Sequence, residues 1–273
     1  VEGATPVGLF DGQYPLTDEQ IEFYQENGFV QLDNMLTDEE LADVRASVDE
    51  AVTMPLQYAV HNSAGRSDYE RVFVQKVNLW RDHEGVRRFV FSPKLADTAR
   101  RLARARGVRL WHDHALIKMP GPDSRPSPWH QDLPYWPMNE EGALSCWMAL
   151  DDVDVRNGCM HFIAKSHRIG RLPGINLVTP QNIFDMIPED RRGIVDPEPR
   201  VAQMKAGSCT FHNGLTFHYA PPNRTDRPRR GMIVIYMLDG TTYNGKRHIC
   251  TDPLDWEPSR RFDGDLFPLL ASE

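Results

Sequence analysis

The sequence predicts a mainly β domain, a sandwich or barrel, buttressed by helices at its N-terminal end. Three observations point there. Up to Gly107 the chain carries helix-start signals and helical apolar spacing, whereas beyond it the chain breaks into short apolar runs separated by Gly and Pro turns. No internal repeat, low-complexity tract or linker interrupts the 273 residues. One domain spanning 1–273 is therefore expected, with 1–107 as helix-rich support and 108–250 as the β core, a length ordinary for a single barrel or sandwich.

The first capping box, Thr17-Asp18-Glu19-Gln20, opens a helix running to Asn27 and halted by Gly28, a residue suited to the left-handed exit. Phe29 to Leu32 then reads as a strand. A second box, Thr37 to Glu40, starts a helix whose Leu41, Val44, Val48 and Val52 form one apolar stripe, which is core. Met54 to Ser67 is a polar loop, and Arg71 to Leu79 returns as an alternating strand containing Gln75 and Lys76. Ser92-Pro93 caps a helix expected to reach Arg106. Its arginines 100, 101, 104 and 106 lie where the helix dipole favours cations and read as a solvated face. Strands are expected at 108–118, 144–150, 160–164, 208–211 and 232–238. The segment Arg171 to Pro199, rich in Pro, Asp and Arg, is a long insertion with a helical turn near Asn182 to Met186, and reads equally as a lid or a surface loop.

Charge and cysteine usage exclude several function classes. With Lys+Arg 31 against Asp+Glu 39, the net charge of −8 leaves no basic footprint for nucleic acid and no polybasic patch for a membrane surface. Apolar runs such as Met232 to Leu238 are too short to span a bilayer, and the N-terminus lacks the basic and apolar regions of a signal peptide. A soluble cytoplasmic protein is expected. Cys146, Cys159, Cys209 and Cys250 show no Cys-x-x-Cys spacing, which argues against a zinc knuckle, a redox dithiol or a disulfide framework.

The chemistry gathers around Trp129-His130-Gln131-Asp132-Leu133-Pro134-Tyr135-Trp136-Pro137. On a strand, residues two apart share a face, so His130 and Asp132 converge on one ion while Gln131 points away. His218, ahead of a strand in the later β-rich half, is the candidate third ligand. Two histidines and a carboxylate form the facial triad that leaves three positions open on a non-haem Fe(II), enough for a bidentate 2-oxo acid and O2. Zinc accepts the same ligands, so a zinc hydrolase or a small-molecule binding protein is the rival reading. Arg229, eleven residues after His218, favours iron: its guanidinium fork suits the distal carboxylate of a dicarboxylate cosubstrate. Arg230 faces the other way as a surface charge, and Asp113 lies on a strand face expected to look inward towards the metal. His112 and His114 form a His-x-His pair with no partner Glu at cupin spacing, and read as core or surface polar groups.

The run His130-Gln131-Asp132-Leu133-x-Tyr135, then Trp147 with Ala149, Gly158-Cys159-Met160 leading to Lys165-Ser166-His167, and His218 with Asn223 and Arg229, resembles the phytanoyl-CoA dioxygenase family. The resemblance extends to Leu16-Thr17 and Gly28-Phe29-Val30. It implies a double-stranded β-helix (jelly roll, cupin-like) core, Fe(II) held by His130, Asp132 and His218, and 2-oxoglutarate clamped by Arg229. It further implies Trp147 lining the cosubstrate site and Lys76 contacting the cosubstrate. One departure is Ala220, where many relatives carry a serine that helps hold the cosubstrate. Halogenating relatives replace the carboxylate ligand with a small residue, so Asp132 points to hydroxylation, or another oxidation that begins with C–H abstraction, of a small molecule such as a secondary metabolite, with release of succinate and CO2.

Overall fold

The computed structural model describes residues 8–58, 60–61, 73–122, 124–177 and 181–273. Both capping boxes form. Thr17 starts α1 (Asp18–Asn27) and Thr37 starts α2 (Asp38–Ala51), each taking the N–H of its third helical residue while that residue's side chain returns to the cap. Gly28 ends α1 at φ 80°, and a Cβ there would run into His167 and Thr216. The close approach lets the carbonyl of Gly28 accept from Asn213 (2.8 Å) and from the Thr216 hydroxyl (2.7 Å), so the N-terminal helix exit braces the turn that leads to His218.

The remaining elements are β1 (Phe29–Leu32), β2 (Val60–His61), β3 (Phe73–Val77), α3 (Glu84–Val90), α4 (Pro93–Leu102), β4 (Gly107–Lys118), β5 (Ser127–His130), β6 (Leu144–Ala149), β7 (Met160–Phe162), β8 (Arg200–Ala202), β9 (Cys209–Asn213), β10 (His218–Ala220), β11 (Arg229–Leu238) and β12 (Leu269–Ser272). They build two antiparallel sheets. The larger runs β1-β9-β6-β11-β4-β3-β2, with β12 added alongside β4, and the smaller runs β5-β10-β7-β8. Alternation sorts the large sheet's side chains between two layers. Cys146, Met148, Val234 and Tyr236 pack against Val44 and Val48 of α2 and Leu95 and Ala99 of α4, whereas Trp147, Ile233 and Ile235 join Phe162 and Ala202 of the small sheet. The face between the sheets is where a site can form. This two-sheet jelly roll, with helices on its outer face, is the mainly β class expected.

Several boundaries differ from expectation. The helix after Pro93 stops at Leu102 because Arg104 adopts φ 50°, a left-handed conformation that ends the run. Its arginines do more than meet solvent: Arg101 donates to the carbonyl of Leu16 (3.0 Å) and Arg104 pairs with Glu22, tying α4 to α1. The strand expected from Arg71 is β3 from Phe73 to Val77, followed by a 3-10 turn at Leu79–Arg81, and much of the 54–67 loop lies outside the described residues. The 1–107 region supplies three strands of the large sheet as well as its helices, and β12 adds a strand from beyond residue 250. α3 was not foreseen; His83 caps it, accepting from Val86 N (3.2 Å).

Within 171–199, Leu172, Ile183 and Ile187 are buried with Phe217, Ile175 is buried as well, and the expected turn is a 3-10 turn at Ile183–Met186. Three side chains beside the site fasten the start of this segment. Gln131 donates to Gly170 O and Leu215 O and accepts from Leu172 N, each at 2.9 Å. Tyr135 exchanges hydrogen bonds with the backbone of Ile175, and Arg171 donates to Met138 O.

Candidate metal and cosubstrate site

His130 and His218 are direct cross-strand partners of β5 and β10, their rings 4.1 Å apart between centroids. Asp132 joins them by a different route from shared strand parity. β5 ends at His130, and Asp132 has right-handed helical angles (φ −80°, ψ −45°) at the entry to a 3-10 turn over Leu133–Tyr135. The carbonyl of Gly214 fixes that turn by accepting from the N–H groups of Asp132 (2.9 Å) and Leu133 (2.8 Å). A Cβ at Gly214 would sit 2.9 Å from the Trp136 ring, so glycine permits the approach. As a result Asp132 Oδ1 lies 3.5 Å from Nε2 of His130 and 3.5 Å from Nε2 of His218. One donor atom from each residue falls within a 4.8 Å cluster, the spread of a set that can hold one ion.

The atoms facing away from this point are engaged. Nδ1 of His130 contacts Pro128 O (2.6 Å) and Nδ1 of His218 contacts Thr216 O (3.0 Å). A carbonyl only accepts, so both rings carry their proton on Nδ1 and present an Nε2 lone pair to the centre, the arrangement a metal-binding imidazole needs. The second carboxylate oxygen, Asp132 Oδ2, takes the Ser145 hydroxyl (3.1 Å) and Nε2 of His212 (3.3 Å). Ser145 and His212 are themselves cross-strand partners of β6 and β9. Burial alone would raise the Asp132 carboxyl, but His218 and the hydrogen bonds from His130, His212 and His218 outweigh it and hold the group well below the ordinary carboxylate range. Burial, then the neighbouring His218, lowers the pKa of His130. The centre is thus an anionic carboxylate between imidazoles, which suits a divalent cation.

Arg229 opens β11 in the same cavity and is 1% exposed, yet among the described residues its Nε and NH1 atoms have no hydrogen-bond partner. Burial lowers its pKa to about 10, so it stays charged. The indole of Trp147 lies against it, with the guanidinium carbon 5.0 Å from the ring, and Trp147 Nε1 is likewise unpartnered. Gly231 makes room for that indole: a Cβ there would be 2.7 Å from the ring. Buried donors around a fixed positive charge match a carboxylate, the group a guanidinium fork binds best. Arg230 turns to the other face and pairs with Asp151 (2.6 Å) and Asp49 (2.7 Å), a more ordered role than a free surface charge. At Ala220 the backbone carbonyl accepts from Lys118 (3.2 Å).

Two expected cosubstrate residues lie elsewhere. On β3, Gln75 and Val77 line the cavity, so the alternation sends Lys76 to the opposite face, where its ammonium binds the carbonyl of Val52. On β4, His112, His114 and Leu116 line the cavity, and Asp113 points away from it to accept from the N–H groups of Leu79 (3.1 Å) and Trp80 (3.4 Å). Conversely, Ser145 and His212 support Asp132 and no sequence motif marked them. Of the large side chains after Asp132, Tyr135 and Trp136 line the cavity, which has a volume of about 600 Å³, whereas Met138 is fully packed. That volume suits a drug-sized ligand.

The comparisons with known proteins agree with this geometry. The family model "Phytanoyl-CoA dioxygenase (PhyH)" matches residues 24–231. An ectoine dioxygenase from Bordetella parapertussis is 27% identical over 266 residues, covering 89% of this chain and 83% of the relative. Among solved structures, the non-haem α-ketoglutarate-dependent carbocyclase SnoK from nogalamycin biosynthesis superposes with a TM-score of 0.80 at 27% identity, covering 95% of this chain and all of that one. The epimerase SnoN, solved with Fe3+, α-ketoglutarate and nogalamycin RO, gives 0.73 at 25% identity over 93% of this chain and 98% of its own. Together with the His-Asp-His cluster and the buried arginine, these place the chain in the phytanoyl-CoA dioxygenase family of iron- and 2-oxoglutarate-dependent dioxygenases.

Proposed function

We propose that His130, Asp132 and His218 are the iron ligands of this dioxygenase, that Arg229 with Trp147 receives the distal carboxylate of 2-oxoglutarate, and that the substrate is a small-molecule secondary metabolite. The observation that carries the reading is the buried, charged and unpartnered guanidinium of Arg229 sharing one cavity with the three-ligand cluster. A hydrolytic zinc site has no use for that cation, whereas a dicarboxylate cosubstrate satisfies it. When bound, iron with 2-oxoglutarate and O2 supplies oxidation at an unactivated C–H bond, with succinate and CO2 released.

The protein's part is geometry. Gln131 and Tyr135 hold residues 170–175 against the cavity, and Leu177 lines it, so this segment limits water entry on one side. Ser145 and His212 occupy Asp132 Oδ2, leaving Oδ1 as the oxygen directed at the ion. The relatives SnoK and SnoN act in nogalamycin biosynthesis, one as a carbocyclase and one as an epimerase. That supports a secondary-metabolite substrate, and hydroxylation as one of several outcomes that share an initial hydrogen abstraction.

The test is anaerobic addition of Fe(II) and 2-oxoglutarate, which should give a weak visible charge-transfer band. Changing Arg229 to Ala removes a charge-assisted contact of about 1.5–3 kcal/mol, so 2-oxoglutarate affinity should fall roughly ten- to hundredfold while metal affinity is unchanged. No band with folded wild-type protein, or unaltered cosubstrate affinity in the variant, would count against the assignment.

A further inference from the structure

The cavity contains a second group of imidazoles that the metal site does not use. β4 carries a bulge where Ile235 pairs with His112 and Tyr236 pairs with Leu110, skipping Trp111. The extra residue places Trp111 and His112 on the same inner side, and the ordinary alternation then adds His114. The rings of His112 and His114 are 5.6 Å apart, and His248, from the segment after β11, stacks on His112 at 6.0 Å. Nδ1 of His112 and Nδ1 of His114 are buried with no hydrogen-bond partner among the described residues, and His112 as a whole is 5% exposed. His248 is anchored instead, accepting from Cys250 N (3.2 Å).

Buried polar nitrogens are ordinarily paired, and unpaired imidazoles on a cavity wall are a site awaiting a ligand. The surfaces around them are apolar: Val77 and Ile233 flank His114 on the neighbouring strands, and Leu116 and Ile235 continue the wall. Burial keeps both imidazoles neutral, His114 having a pKa lowered to about 4. Arg229 is the buried cation of the cavity, and Arg247 at its rim pairs with Asp252 (3.2 Å). A neutral imidazole offers one donor and one acceptor, the complement of a hydroxyl or carbonyl oxygen.

We propose that His112 and His114 form the substrate-recognition wall of this cavity, selecting an uncharged, oxygenated apolar molecule by hydrogen bonds to its hydroxyl or carbonyl oxygens. This rests on the iron and 2-oxoglutarate reading, because it gives the part of the cavity next to the cosubstrate to the substrate. Anionic groups are disfavoured there, since the described residues of the wall supply no cation to meet them.

Two matched probe sets test it: neutral polyhydroxylated aromatics of one to four fused rings, and the same skeletons carrying a sulfonate. Binding to protein loaded with Mn(II) and 2-oxoglutarate is read by tryptophan fluorescence. At least one neutral probe should bind about tenfold more tightly than its sulfonated match. His114→Leu and His112→Phe should each lose that preference, and His114→Gln, which keeps a donor and an acceptor, should retain most of it. Separate titrations of Mn(II) and 2-oxoglutarate should be unchanged in all three variants. No neutral preference in the wild type, or leucine and phenylalanine variants that bind as the wild type does, overturns the proposal. Loss of Mn(II) or 2-oxoglutarate binding by the wild type would instead overturn the reading beneath it.

Discussion

Much of a metal site lies in atoms that never touch the metal, and Asp132, proposed as a ligand, has such support. Its Oδ1 faces the imidazoles of His130 and His218, while Oδ2 is held by Ser145 (3.1 Å) and His212 (3.3 Å). His212 Nδ1 is unpartnered, so the proton on this ring sits on Nε2 and is donated to the carboxylate. His212→Phe should keep the packing against Phe162, whose ring centroid is 5.4 Å away, but free Oδ2 to swing or to compete for the ion. Supporting groups of this kind typically contribute ten- to hundredfold to metal affinity. An Mn(II) titration should show that loss with the fold retained by circular dichroism, and Ser145→Ala, which leaves His212 in place, should show less. Equal affinity in wild type and His212→Phe would mean that Ser145 and the backbone hold Asp132 without help from His212. The grouping of His130, Asp132 and His218, the residues proposed as ligands, was legible from sequence because their types and order are distinctive. His212 and Ser145 were not, since their role comes from the β6–β9 register, which a linear reading does not contain.

At the scale of the strand, the sequence announced alternation without its phase. The helices had punctuation at both ends, Thr17 and Thr37 at the starts and Gly28 at an exit, and their stripes faced the core as expected. β4 has no such marker: from Trp111 to Asp113 every residue is buried, because helices cover one face and the small sheet faces the other. Polarity therefore fails to show that His112 and His114 look inward and Asp113 outward, and the bulge at Trp111 moves the phase once more. The outward Asp113 ties the 3-10 turn at Leu79–Arg81 to β4 through two backbone N–H groups. Burial raises its carboxyl pKa from the ordinary 3.8 to about 7. The folded protein thus retains a proton that the unfolded chain has already lost, and stability falls as pH climbs from about 4 to about 7, by as much as roughly 4 kcal/mol. Asp113→Asn, which has no proton to lose, should flatten that slope. Urea midpoints at pH 5 and pH 8 will read it: the wild type should lose stability between them and the variant should lose less. Parallel declines in the two proteins would place the pH dependence elsewhere.

Across the whole molecule, the site is where two sheets are joined that share no strand pairing among the described residues. His130 and His218 are a cross-strand pair of the small sheet, whereas Asp132 is braced by a cross-strand pair of the large one. An ion taking all three ligands closes this junction and adds a polar clasp to an apolar contact already made by Phe162, Trp147 and Ile233. Because that contact and the helix-facing core are complete without the ion, the apo protein should be folded. The metal-loaded form should be more stable by mass action, by about 2.7 kcal/mol at a hundredfold excess over Kd. For a domain of this size that corresponds to a rise in Tm of roughly 5 to 10 °C. Anaerobic differential scanning calorimetry with Mn(II) in place of Fe(II) will measure it. 2-Oxoglutarate should add a further rise in the wild type and little in Arg229→Ala, because in the variant it lacks the guanidinium that anchors it. His130→Ala should abolish the response to metal while leaving an apo transition. A wild-type Tm that ignores millimolar Mn(II), or a His130→Ala protein that still responds in full, would show that the ion does not bind across this junction.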